Sequence, residues 1–155
     1  MRSNIARGPV AGLLCLVLVC LALAAVPAAA RADAWEDSMN AADWAMKQRQ
    51  LTAAEQHFEA AIAAAKAPRL DEQRLATSLD RFGAFYHSQG KYAEAEPLYL
   101  EALEIRERTL GPDSPIVASS LNNVATLYQT QGKYAEAEPL YIRSLAINEK
   151  AAGSI

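Results

Sequence analysis

The sequence predicts an all-α fold in which three helical hairpins stack on one another, and three observations support this prediction. An eleven-residue segment, QGKYAEAEPLY, occurs at Gln89–Tyr99 and again at Gln131–Tyr141, 42 residues later. The segments that precede the two copies align without gaps. Apolar residues within each copy recur every three or four positions, which is the spacing of one helix face. A repeat of this length is typical of one structural unit stacked on copies of itself.

The N-terminal segment has the three parts of a secretory signal peptide. Met1–Pro9 carries two arginines and no acid, Val10–Val26 is apolar, and Pro27 is followed by small residues. A leader at residues 1–32 predicts a periplasmic or secreted protein. The alternative is an uncleaved membrane anchor, because the 21 residues of segment 10–30 are enough to span a bilayer.

Charge and cysteine content narrow the classes of function. Without residues 1–32 the chain keeps 12 basic and 18 acidic residues, a net charge of −6. This balance argues against nucleic acid or an anionic membrane surface as the partner. Both cysteines, Cys15 and Cys20, lie in the apolar segment, so the remaining domain depends on its core rather than on a disulfide. Residues 33–155 have the length of one domain.

The two clear repeats are each predicted to form helix, turn, helix. In the earlier repeat, apolar stripes over 75–86 and 92–105 mark two helices, and Gly90 lies where the first helix has to end. The same pattern returns 42 residues later, with Gly132 at the turn. Between the repeats, Ser114 is a suitable N-cap for the next helix.

A degenerate copy precedes these two. LTAAEQHFEAA at Leu51–Ala61 matches YAEAEPLYLEA at Tyr92–Ala102. A helix over Trp35–Gln48 would complete the first hairpin, and terminal repeats of an array are expected to be atypical. The predicted hairpins therefore span about 35–66, 72–110 and 115–150.

The order of small and large residues resembles the tetratricopeptide repeat. Gly83 and Ala95 in one copy, and Ala125 and Ala137 in the other, would let two helices approach closely while bulky residues fill the space around them. The 42-residue period and the EIRERTLGPDSP linker resemble the longer variant found in kinesin light chains and many bacterial proteins. This resemblance extends over about 35–150 and implies a right-handed α-solenoid. It implies an architecture rather than a reaction.

In this family the first helix of each hairpin lines a concave groove that holds a partner protein or an extended peptide. The resemblance therefore implies a binding surface of polar side chains at corresponding positions of the first helices. An asparagine amide suits a peptide backbone because it both donates and accepts, and Arg81 suits a carboxylate. Solvated helix surface is the alternative explanation for each residue. The candidates are Asn40, Asp43, Thr77, Arg81, His87, Ser119, Asn122, Asn123, Thr126 and Gln129.

The sequence indicates no catalytic, metal or cofactor site. His57 and His87 lie on separate predicted hairpins and have no further ligand at metal-binding spacing. Ser88 beside His87 has no third member of a nucleophilic triad, and the glycine motifs of nucleotide sites are missing. We therefore predict a non-enzymatic, exported interaction module for a protein or peptide partner.

The alternative hypothesis is a structural protein that assembles with itself. The chain stops five residues after the third predicted hairpin, without an extra polar helix. We expect Val124, Leu127, Leu145 and Ile147 to be partly uncovered there, and exposed apolar surface tends to mark an interface. Head-to-tail stacking of hairpins would cover that surface and produce a homo-oligomer.

Overall fold

Three helical hairpins make up the part of the protein that the computed structural model describes, residues 28–66 and 71–153. The two helices of each hairpin pack on each other, and the second helix of each hairpin packs on the first helix of the next. These ranges contain no β-strand, and the predicted all-α helical repeat fold is confirmed. The helices are α1 (Ala28–Lys47), α2 (Leu51–Ala65), α3 (Glu72–Ser88), α4 (Tyr92–Leu110), α5 (Pro115–Thr130) and α6 (Tyr134–Ala152).

Helix α1 differs from its prediction at its start. It begins at Ala28, whereas the apolar stripe predicted a first helix from Trp35. The predicted leader at residues 1–32 and the alternative anchor at 10–30 lie mostly outside the described residues, so the division of the chain into leader and repeat domain stays a prediction. None of the helices in the described ranges is long and apolar enough to cross a membrane.

Local sequence explains where the helices begin and end. The Ser114 side chain accepts a hydrogen bond from the α5 backbone, and Pro115 occupies the first turn, where its missing N–H is not needed. Gly90 and Gly132 end α3 and α5 with φ angles of 73° and 76°. This left-handed conformation favours glycine. In the first hairpin Arg49 takes the same place with a φ of 56°, which costs a residue with a Cβ atom roughly 1–2 kcal/mol.

The hydrophobic core continues from one hairpin to the next. Phe58 of α2 is fully buried and stacks on Phe82 of α3, with ring centroids 5.3 Å apart. In the next hairpin Tyr99 of α4 packs against Gly83, where a Cβ atom would lie 3.0 Å from the tyrosine ring. A hydrogen atom in place of a side chain therefore lets α3 and α4 approach closely.

The expectation of an uncovered core at the third hairpin is wrong for three of the four residues. Val124, Leu127 and Ile147 are 1%, 0% and 5% exposed, because they belong to the core cluster that α4, α5 and α6 share. Leu145 alone among the four is uncovered, at 59% exposure. The apolar stripe on α6 therefore divides into an inner row facing α5 and an outer row facing solvent.

Candidate partner-binding surface

Polar side chains connect the first helices of neighbouring hairpins. Arg81 of α3 forms an ion pair with Asp43 of α1. Asn123 of α5 donates a hydrogen bond from its amide nitrogen to Asp80 of α3 over 2.8 Å. Three of these four residues are among the predicted candidates, and the structure brings them together in two pairs. We call these two pairs the inter-helix ladder.

Arg81 has a different partner from the one that the sequence suggested. Its guanidinium was expected to be available for a carboxylate of a bound partner, and here it binds the carboxylate of Asp43 in the same chain. A partner's carboxylate would have to compete with Asp43 for the guanidinium. Arg81 therefore acts first as a link between α1 and α3.

Asp80, which sequence reasoning did not select, lies at the centre of the polar contacts. Besides the Asn123 amide, its carboxylate receives Nη1 of Arg106 at 3.4 Å. Arg106 is 8% exposed and also donates to Oγ of Ser120 at 2.6 Å. A buried guanidinium needs such partners because leaving one partner of a buried pair alone is strongly destabilising. The sequence did contain a signal for this contact: Arg106 is a charged residue in an otherwise apolar row of α4, and such a residue needs an acidic partner.

Two of the predicted amides remain in solvent beside the ladder. Asn40 of α1 and Asn122 of α5 are exposed, and within the described ranges neither side chain bonds to another residue. Thr77 and Ser119 donate their hydroxyl hydrogens to backbone carbonyls one turn earlier in their own helices, over 2.8 and 3.2 Å. Their oxygens keep acceptor capacity for an external donor.

The remaining candidates lie towards the C-terminal ends of α3 and α5. The Tyr141 hydroxyl of α6 donates to Gln129 over 2.9 Å and lies 3.1 Å from the Thr126 hydroxyl. Nε2 of His87 lies 3.4 Å from the hydroxyl of Thr130. Gln129 and Thr126 are therefore bound to the second helix of their own hairpin, apart from the ladder.

A buried tyrosine lies close to Asp80 of the ladder. Burial, together with the nearby Asp80, raises the pKa of Tyr99 to about 12. Among residues 28–66 and 71–153 no group of three histidine, cysteine or acidic side chains is arranged to hold a metal ion. The surface offers hydrogen bonds and paired charges to a ligand.

Comparisons with known proteins identify the repeat. Residues 74–150 match the family model of the tetratricopeptide repeat. No curated protein matches the sequence.

Solved structures show the same architecture. BtubC (BKLC) from P. vanneervenii is 28% identical, with a TM-score of 0.65, and the match covers 70% of this chain and 43% of that one. This chain thus spans less than half the length of BtubC. The TPR domain of Arabidopsis FLU is 22% identical, with a TM-score of 0.67 and coverage of 77% and 98%. The N-terminal domain of stress-induced protein-1 (STI-1) from C. elegans is 24% identical, with a TM-score of 0.62 and coverage of 76% and 87%.

The FLU and STI-1 structures, at 22% and 24% identity, show the fold alone. The family match identifies the type of repeat. The tetratricopeptide fold is in general that of a protein–protein interaction module. Nearly all of the second and third hairpins lies inside the matched segment. The chain is therefore a tetratricopeptide-repeat protein.

Proposed function

We propose that this protein is an exported, non-enzymatic module that binds an extended peptide or partner protein along its first helices, α1, α3 and α5. The observation that supports this function best is the inter-helix ladder, Asp43–Arg81 and Asp80–Asn123. It links neighbouring first helices, and the amides of Asn40 and Asn122 are exposed close to it in the sequence. Together these side chains form a row of donors and acceptors on ordered helices.

The chemistry of this row suits a peptide backbone. Each free amide offers two N–H donors and one carbonyl acceptor, which matches the alternating groups of an extended chain. Because the ladder already orders the first helices, binding loses less conformational entropy than it would on mobile loops. Specificity for a partner side chain would come from competition for Arg81.

The test begins with a peptide display library selected against the full chain, followed by affinity measurements on the selected peptides. We expect the double variant Asn40→Ala, Asn122→Ala to lose affinity by about tenfold or more, since each lost hydrogen bond contributes about 0.5–1.5 kcal/mol. Gln56→Ala removes an exposed amide from α2 and is the matched control. Unchanged affinity in the double variant would show that peptides bind elsewhere.

Export is supported by the signal-like composition of residues 1–32. The test is cell fractionation of the full chain with a C-terminal tag, combined with the intact mass of the recovered protein. A mass lower by the leader, in the soluble exported fraction, supports secretion. Full mass in the detergent-soluble fraction supports the anchor at residues 10–30 instead.

A second candidate function, head-to-tail assembly of copies, has one observation in its favour. Trp44 on α1 and Leu145 on α6 are 57% and 59% exposed at opposite ends of the array. At the corresponding internal positions Phe85 and Leu103 are buried. Light scattering over a dilution series tests this function, and a monomer at every concentration would exclude it.

A further inference from the structure

The first junction between hairpins contains a cluster of three side chains. The Tyr86 hydroxyl of α3 donates to a carboxylate oxygen of Glu55 in α2. The ammonium nitrogen of Lys91 lies 5.2 Å from the centroid of the Tyr86 ring. A cation over an aromatic face and a hydroxyl on a carboxylate are both attractive. We call this arrangement the Glu–Tyr–Lys cluster.

The second junction repeats the Glu–Tyr–Lys cluster. Tyr128 of α5 donates to Glu96 of α4 over 3.3 Å. The ammonium of Lys133 lies 5.1 Å from the Tyr128 ring centroid and 3.3 Å from the Glu96 carboxylate. Burial and the carboxylate of Glu96 raise the pKa of Tyr128, so its hydroxyl keeps the proton that it donates. In both junctions the lysine follows the tyrosine by five residues.

Helix α6 carries a glutamate at the position that begins a third cluster. Among the described residues, no tyrosine and lysine lie beside it as they do at the two junctions. Glu138 follows Glu96 by 42 residues, at the same place in the repeat. It is exposed and has no ion pair or hydrogen bond to another described residue. Next to it lies an open depression of roughly 350 Å³, lined by Gln129, Tyr134, Ala137, Glu138, Tyr141 and Ile142.

The second junction shows what occupies the corresponding space there. Tyr128 packs on the core cluster that contains Ala95 and Tyr99. The residues that follow these two by 42 positions are Ala137 and Tyr141, and both line the depression. The depression therefore corresponds to the place that a tyrosine ring fills in the preceding hairpin.

We propose that the outer face of α6 binds a partner helix and the turn that follows it, with a tyrosine of the helix at Glu138 and a lysine five residues later, after the turn, as in both clusters. The tyrosine ring enters the depression, and its hydroxyl donates to the Glu138 carboxylate. The lysine lies over the ring and neutralises the same carboxylate. An apolar residue directly before the tyrosine, as Leu127 precedes Tyr128, covers Leu145.

The chemistry of the site selects this occupant over a second copy of the chain. Helix α1, the first helix that another copy would present, has Ala45 and Gln50 where α3 and its turn have Tyr86 and Lys91. Residues 1–27, 67–70 and 154–155 include no tyrosine. The partner segment thus comes from outside this sequence. The depression shares only Gln129 with the candidate surface of the first helices. The proposal rests on Glu138 and Leu145 of α6, so it does not depend on the function proposed for that surface.

The probe is a synthetic peptide with the sequence of residues 115–133, which fills the corresponding place on α4. It is titrated into the ¹⁵N-labelled full chain, and binding is followed by chemical-shift changes. We expect shifts on the outer face of α6 and about tenfold weaker binding when phenylalanine replaces the peptide's tyrosine, as for one hydrogen bond to a charged group. Glu138→Gln in the protein should weaken binding of the tyrosine peptide and reduce the difference between the two peptides, because a neutral amide oxygen accepts a weaker hydrogen bond than a carboxylate.

The control is Glu136→Gln, which removes the same charge from the same helix at a position about 200° around its axis. We expect it to bind the peptide as the wild type does. Three results would overturn the proposal: no shifts on α6 at millimolar peptide, equal binding of the two peptides to the wild type, or binding of the tyrosine peptide to the Glu138→Gln variant as tight as to the wild type. Self-association that Leu145→Glu abolishes would also overturn it, since a second copy would then occupy the face. Circular dichroism of each variant checks the fold.

Discussion

Helices α4 and α6 begin with the same eight residues, YAEAEPLY, but their outer faces have different environments. In α4, Tyr99 and Leu103 are 5% and 9% exposed, because α5 packs over them. In α6, the equivalent Tyr141 is half-buried and the equivalent Leu145 is 59% exposed. Equivalent positions of two closely similar helices are thus buried in one hairpin and more exposed in the next. In a repeat array the burial of a residue depends on the neighbouring hairpin as much as on its own helix.

The comparison also separates two contributions to stability: one from the helix and its own hairpin, and one from contact with the following hairpin. Over the eight shared residues helix propensity is the same in α4 and α6, whereas the contact with a following hairpin differs. Paired substitutions at equivalent positions therefore measure the inter-hairpin contribution. The substitutions below follow in order of expected effect.

Arg106→Ala against Asn148→Ala should give the largest difference between the two helices. Arg106 is 8% exposed and bound to Asp80 and Ser120, so its loss should lower the free energy of unfolding by about 3 kcal/mol. Asn148 is the exposed equivalent in α6, and its change should stay within about 0.5 kcal/mol. Urea unfolding of both variants provides the measurement. Equal effects would contradict the buried charge cluster.

Leu103→Ala against Leu145→Ala tests the apolar part of the same comparison. Truncation of the buried Leu103 should cost about 2–3 kcal/mol, through lost burial and the cavity left behind. Truncation of the exposed Leu145 should cost less than about 0.5 kcal/mol. Both changes in the free energy of unfolding are measured from the urea midpoints, provided that the dependence on urea concentration (the m-value) stays the same. A large cost at Leu145 would show that a partner covers it in solution.

Gly83→Ala should destabilise by about 1 kcal/mol, because overpacking exceeds the gain in helix propensity. The new Cβ atom would lie 3.0 Å from the Tyr99 ring, which α5 holds from the other side. Ala125, at the equivalent place in α5, already has that atom, and the facing Tyr141 is only half-buried. Thermal unfolding measures the effect, and a rise in Tm would mean that the Tyr99 ring moves freely.

A pH series should show the smallest effect. Because the pKa of Tyr99 is raised to about 12 in the folded protein, against about 10 for an unperturbed tyrosine, the unfolded chain releases its proton first. Its contribution to stability is complete below pH 10 and is lost as pH rises towards 12. Urea unfolding at pH 9 and pH 11 should show a smaller decrease for Tyr99→Phe than for the wild type. Tyr141→Phe controls for the loss of a hydroxyl at the matched position.

The repeat fold was predictable because its signals are local and occur twice. Apolar spacing, the glycines at 90 and 132 and the cap at Ser114 each specify a helix or its end without knowledge of the tertiary structure. Arg49 at the first turn was not predictable, since a left-handed arginine has no sequence signature. The sequence also did not show which apolar residues of α6 are buried and which are exposed, for a related reason. Ile147 and Leu145 are both apolar, and only the packing of α5 separates them.

The hydrogen bonds and ion pairs of the candidate residues were not predictable from the sequence, and their role in binding stays a prediction. Arg81 and Asn123 each contact an acidic residue of the preceding first helix. Their partners depend on which side chains come within reach across two helices, and one sequence does not show this. The Glu–Tyr–Lys clusters did leave a signal, because glutamate, tyrosine and lysine recur together in register. The place of the tyrosines on an apolar helix stripe predicts how their rings pack and gives no information about their hydroxyl groups.

The recurrence of the junctions has a consequence at the level of the gene. An in-frame tandem duplication of the 42 codons for residues 111–152 would place a new tyrosine and a new lysine beside Glu138. The added hairpin would meet a surface that already fits it, without any compensating substitution. Lengthening this array therefore needs a single genetic event, and loss of a hairpin by the reverse event leaves another glutamate uncovered. A change in the number of repeats therefore requires one duplication or deletion, whereas a change in the junction requires matched substitutions in two hairpins.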